Sequence, residues 1–142
     1  MIGGSEAPAA GEGLRYQDIA PTLKSKADAM LPFFGEECTV KVFHRRWQFR
    51  EEGVKTFIEK LPAVFKQGNE ENSLVSVNSA VLSTLVEIFK DKVQQIIMLS
   101  FDASEAYIEQ LMLYPAVTVK SDQASFERFL TYMLDRLTDQ KL

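Results

Sequence analysis

Val54, Phe57, Ile58 and Leu61 stand at i, i+3, i+4 and i+7, which makes one stripe of an α-helix and no face of a strand. That period recurs along most of the chain. It returns in Val77, Val81, Leu82, Leu85 and Phe89, and again in Ile96, Ile97, Leu99, Phe101, Tyr107, Ile108 and Leu111. Phe126, Phe129, Leu130, Met133 and Leu137 make a last stripe. No strand pair or hairpin signal interrupts the pattern. With 142 residues and 46% apolar side chains, the chain is long enough to bury a core in one domain. The expectation is an all-α fold.

Breakers divide the helices. Pro21 suits a first helical turn, and the stripe of Leu23, Ala27, Met30 and Leu31 is expected to stop at Pro32 and Gly35. A short helix follows over 36–44, then one over 47–61, weakened at its end by Pro62. Residues 67–73 (QGNEENS) read as a polar loop. Helices are expected over 75–89 and 93–112, separated by Lys90-Asp91-Lys92. Residues 114–119 (YPAVTV) read as an extended connector, and Ser121 or Asp122 can cap a final helix over 122–137. The Gly/Ala/Pro/Ser-rich residues 1–13 read as a disordered linker or a cloning scar, which leaves 14–142 as the domain.

The turns recur at a regular interval. Trp47, Lys92 and Lys141 are 45 and 49 residues apart. Helical-pair repeats of the HEAT and armadillo type have a period of about 40–47 residues. Such pairs bury their apolar stripes against neighbouring pairs, so all the turns within pairs line one edge. The architecture expected is an α-solenoid of HEAT-like pairs: right-handed stacking of roughly two and a half repeats plus an N-terminal helix.

The first turn is unusual in composition. Residues 41–50 (KVFHRRWQFR) hold the only tryptophan, four cations and no acid, so +4 sits here within a chain of net charge −4. Trp47 has two readings. Among cations at a turn it is a contact anchor, its indole giving buried area and its neighbours meeting an acidic partner. Alternatively it caps a core and the arginines merely flank it. The recurrence of Lys90, Lys92 and Lys141 at later turns favours the anchor, because core packing does not explain a row of cations along one edge.

The motif W-x-x-R-E-E-G-V at 47–54, with Phe34-Gly35-Glu36 before it, resembles the first repeat of a TOG domain, the tubulin-binding HEAT array. Phe89-Lys90-Asp91-Lys92-Val93 resembles the second turn of that family, and Leu137-Thr138-Asp139-Gln140-Lys141 the third. The extra leading helix that ends in LPFFGEE is most similar to the TOG domain of the centrosomal and ciliary-tip protein family. The resemblance implies binding of αβ-tubulin or microtubules through the turn edge by Arg45, Arg46, Trp47, Arg50, Lys90, Lys92 and Lys141. It also implies a cytoplasmic, cytoskeletal location at centrosome, centriole or cilium tip. A full TOG domain has about six repeats. The chain is therefore expected to be the N-terminal part of one, able to self-associate through its truncated C-terminal end.

Other functions find little support. Cys38 and His44 lie about 240° apart around a helix, so they form no nucleophile–base pair. One histidine and one cysteine make no zinc cluster, no glycine-rich phosphate loop is present outside the tail, and no cofactor is expected. His44 reads as a solvated turn residue. The methionines beyond Met1 (Met30, Met98, Met112 and Met133) read as core filler. Acidic pairs such as Glu51-Glu52 suit helix starts. A pI near 5.1 argues against nucleic acid, and no apolar run is long enough to span a membrane. A non-enzymatic binding module is expected. The rival reading is a helical-repeat scaffold for a peptide or protein unrelated to tubulin.

Overall fold

Gly35 fixes the first corner of the molecule. Its φ of 86° lies in the left-handed region that only glycine enters without strain. Its N–H bonds the carbonyl of Leu31 behind it, and its own carbonyl accepts from the Thr39 N–H ahead. One residue therefore ends α1 (Lys24–Phe34) and begins α2 (Glu36–Val42). The computed structural model describes residues 14–117 and 123–139. The expected linker 1–13, the caps Ser121 and Asp122, and Lys141 lie outside these residues.

Four more helices follow: α3 (Trp47–Glu70), α4 (Leu74–Phe89), α5 (Gln94–Leu113) and α6 (Gln123–Asp139). Two short 3-10 turns, Tyr16–Asp18 and Pro21–Leu23, lead into α1. The helices pack as pairs, α2 against α3 and α4 against α5. The pairs stack through α3 on α5, while α4 receives both α1 and α6. This is the all-α stack of helical pairs that the periodicity predicts.

Gly35 ends α1 as expected, but neither proline breaks its helix. Pro32 lies inside α1 and Pro62 inside α3. An interior proline loses one backbone bond and costs about 3 kcal/mol. In α3 the buried stripe continues past the proline through Val64, Phe65 and Gly68, and that packing holds the helix for two further turns. The polar loop shrinks accordingly. It begins after Glu70, with Asn72 in a left-handed conformation (φ 58°) that asparagine tolerates. The other connector, expected to be extended, turns into helix over its described residues 114–117. The Val117 N–H reaches the Tyr114 carbonyl at 3.1 Å, and Val117 is buried.

α4 is the central helix, buried on most sides through Val77, Val81, Leu82, Leu85, Ile88 and Phe89. Its polar Asn78 accepts a 2.6 Å hydrogen bond from the Tyr107 hydroxyl of α5, so neither buried group lacks a partner. Phe129, the one buried side chain among the described residues of α6, meets Tyr107 edge-on at 5.5 Å and Phe89 at 6.1 Å. The methionines divide. Met30 is buried and Met133 packs against the core, whereas Met98 and Met112 are exposed.

The glycine of the W-x-x-R-E-E-G-V motif has a packing role. A Cβ on Gly53 would lie 2.5 Å from the Val42 nitrogen and 2.7 Å from the Lys41 carbonyl carbon. The end of α2 therefore rests directly on the backbone of α3. Cys38 packs in the same contact, its thiol 3.7 Å from the Gly53 carbonyl oxygen. Burial pushes that thiol up to about 11 from its ordinary 9.0.

Candidate functional site: the turn edge

The first turn is ordered by a buried histidine. The ring of His44 packs on Phe49 with centroids 4.6 Å apart, and its Nδ1 accepts the Arg46 N–H at 3.0 Å. The expectation of a solvated His44 is therefore corrected: its two-faced ring supplies apolar contact and an acceptor that closes the turn. Arg46 is the N-cap residue of α3, in an extended conformation. Trp47 then opens α3 half-buried, while Arg45 and Arg46 are exposed.

Arg50, one turn into α3, holds the site together. Its guanidinium grips Asp91 with both arms, Nε to Oδ2 at 2.7 Å and Nη2 to Oδ1 at 3.1 Å. Its Nη1 donates back to the carbonyls of His44 at 3.0 Å and Arg45 at 2.9 Å. A fork of five fixed donors suits this use, which a lysine point charge would not fill. The Arg50 side chain is 21% exposed and that of Asp91 10%, so the pair is largely withdrawn from solvent. Arg50 thus pairs internally and braces the turn, the alternative that its place one turn into a helix offers to a role among the contact cations.

Asp91 is the hub of the second turn. Its Oδ1 also accepts the Val93 N–H at 3.0 Å, closing an Asx-type turn just before α5. From the other side Arg136 of α6 donates to the carbonyls of Phe89 at 2.6 Å and Asp91 at 2.5 Å, satisfying acceptors at the end of α4. One carboxylate and two arginines therefore join the turn before α3, the turn before α5 and the last turns of α6.

Lys90 and Lys92 are exposed on this second turn. Lys90 approaches Glu87 at 3.5 Å and the Tyr132 ring at 5.7 Å. Lys92 forms no ion pair among the described residues. The structure thus brings together Arg45, Arg46, Trp47, Lys90 and Lys92 on two turns bridged by Arg50 and Asp91. Sequence reasoning missed Asp91 and Arg136. Asp91 carried a signal as the lone acid between two lysines; Arg136, 45 residues downstream, carried none.

Between these turns and the N-terminal segment lies a cavity of about 440 Å³. Among the described residues no helix is long and apolar enough to cross a membrane. Comparison with protein-family models, curated proteins and solved structures finds no match to this chain.

Proposed function

We propose that this chain is a tubulin-binding module of the TOG class, which engages αβ-tubulin or microtubules through its turn edge. It acts by binding, without catalysis or a cofactor, in regulation of centriolar, ciliary or other microtubule ends. The observation that carries this reading is the Arg50–Asp91 bridge, since it sets Trp47 and the cations of both turns in fixed register. Half-buried at a helix start, Trp47 offers apolar area without belonging to the core. Arg45, Arg46 and Lys92 are exposed beside it on a chain whose remainder is acidic. Such a charge arrangement orients encounter with a strongly acidic partner.

Size-exclusion chromatography with purified tubulin and cosedimentation with microtubules test the reading. Trp47→Ala is expected to weaken binding by about 2 kcal/mol, roughly thirtyfold in Kd. The half-buried indole adds a smaller cost in stability, of about 1 kcal/mol. Wild-type protein that comigrates with neither tubulin nor microtubules would remove the proposal.

A second reading has its own observation. On α5 Met98, Ile108, Met112 and Leu113 are exposed, Met112 by 76% and Leu113 by 67%. A helical-repeat scaffold that docks a protein partner on this face explains them, as does self-association with the exposed Leu134 and Leu137 of α6 taking part. Sedimentation at rising concentration separates these cases, because only self-association shifts the coefficient of the chain alone.

A further inference from the structure

The cavity at the turn edge has an apolar interior and a charged mouth. Leu23, Val42, Val54, Ile88 and Ile96 line it, all but Leu23 buried. Its volume of about 440 Å³ lies within the usual range for a binding cavity, about 300–1,000 Å³. Three carboxylates line it, and each is held by a cation. Asp91 takes Arg50, Glu87 takes Lys26 at 2.7 Å, and Asp18 takes Arg15 at 3.2 Å. Two lining cations remain beyond these pairs. Arg45 forms no close ion pair among the described residues and acts on Asp18 only as a weaker influence after Arg15, while Lys90 is only the second and longer partner of Glu87, at 3.5 Å. They belong to different turns, and both are exposed. The mouth is therefore cationic over an apolar floor.

We propose that this cavity is a docking socket for an acidic peptide segment carrying one large apolar side chain. The apolar side chain enters between the first two turns, against Val42, Val54 and Ile96. Carboxylates flanking it in the peptide meet Arg45 from one turn and Lys90 from the other. Apolar burial supplies the affinity, and the two cations set which sequences enter. Trp47 does not line the cavity, so the socket stands apart from the anchor in the tubulin reading.

The probe is a fluorescein-labelled synthetic pentapeptide, leucine flanked on each side by two glutamates, followed by anisotropy at moderate ionic strength. Saturable binding is expected. Replacing the leucine by alanine should weaken it at least about fivefold, and replacing the glutamates by lysine should abolish it. The double variant R45E/K90E, altered only at exposed side chains, should weaken binding about tenfold or more while keeping the helical circular-dichroism spectrum and a cooperative melt. Ala20→Trp, at an exposed lining position, should block entry. Trp47→Ala should leave peptide affinity unchanged. Equal affinity for the leucine and alanine peptides, indifference to R45E/K90E, or displacement by millimolar inorganic phosphate would each overturn the socket. The tubulin reading fails separately, by loss of comigration with tubulin while the peptide still binds.

Discussion

Asp91→Ala should destabilise the protein more than any other substitution of an acidic residue on the turn edge. Removing the carboxylate leaves the Arg50 guanidinium, only 21% exposed, with two backbone carbonyls and no counter-charge. Stranding one partner of a buried pair costs about 3–5 kcal/mol; residual access to water and the retained carbonyl bonds place this case at the lower end, about 3. That figure includes the lost hydrogen bond to the Val93 N–H, worth about 1 kcal/mol. For a chain of this size the melting temperature should fall by about 6–12 °C. Thermal unfolding followed by circular dichroism at 222 nm measures it. Asp91→Asn should cost about half as much, because one amide oxygen can still accept. The double variant Arg50→Ala with Asp91→Ala should recover part of the loss, since no unpaired charge stays buried. The deficit should also persist in 0.5 M salt, unlike the effect of breaking the exposed Lys41–Glu52 pair. A melting temperature for Asp91→Ala within about 2 °C of wild type would refute the bracing role.

Gly53→Ala forces α2 off the backbone of α3, because the clash is with main-chain atoms that cannot rotate away; a loss of about 3 kcal/mol in urea unfolding is expected. Cys38 makes stability depend on alkaline pH. Its thiol, raised by burial to about 11 when folded, ionises near its ordinary 9.0 when unfolded, so the unfolded chain loses the proton first and stability falls as pH climbs from 9 toward 11. At pH 10 the loss from the thiol is about 1 kcal/mol; Cys38→Ala should remove the fall that begins near pH 9 and leave the later one from Tyr16 and Tyr107, which burial also raises. Charge reversal of Arg45 and Arg46 should slow association with tubulin and flatten its salt dependence, measured by stopped flow; equal salt slopes for wild type and variant would exclude steering.

The i, i+3, i+4, i+7 stripes were sufficient to locate every long helix, because an amphipathic stripe is a local property that each segment carries by itself. The all-α class and the pairing of helices about the turns near Trp47 and Lys92 were likewise legible before any contact was known. Local rules set the end of α1 at Gly35 but misplaced the end of α3 at Pro62. There the loss of one backbone bond competes with apolar burial against helices distant in sequence, and tertiary packing wins. The same limit governs the site. The sequence shows that Arg45, Arg46, Trp47, Arg50, Lys90 and Lys92 are cationic or aromatic turn residues, but charge alone does not say which of them face outward. Only the folded chain brings Asp91 to Arg50 across 41 residues and Arg136 to the same turn, turning one expected contact cation into a brace. His44 teaches the same lesson. Solvation is the default for a polar turn residue, and its burial depends on Phe49 and the Arg46 N–H meeting a ring that can satisfy both. Helix formation follows from the order of residues along the chain, whereas the free or committed state of a side chain depends on neighbours that only the tertiary structure supplies.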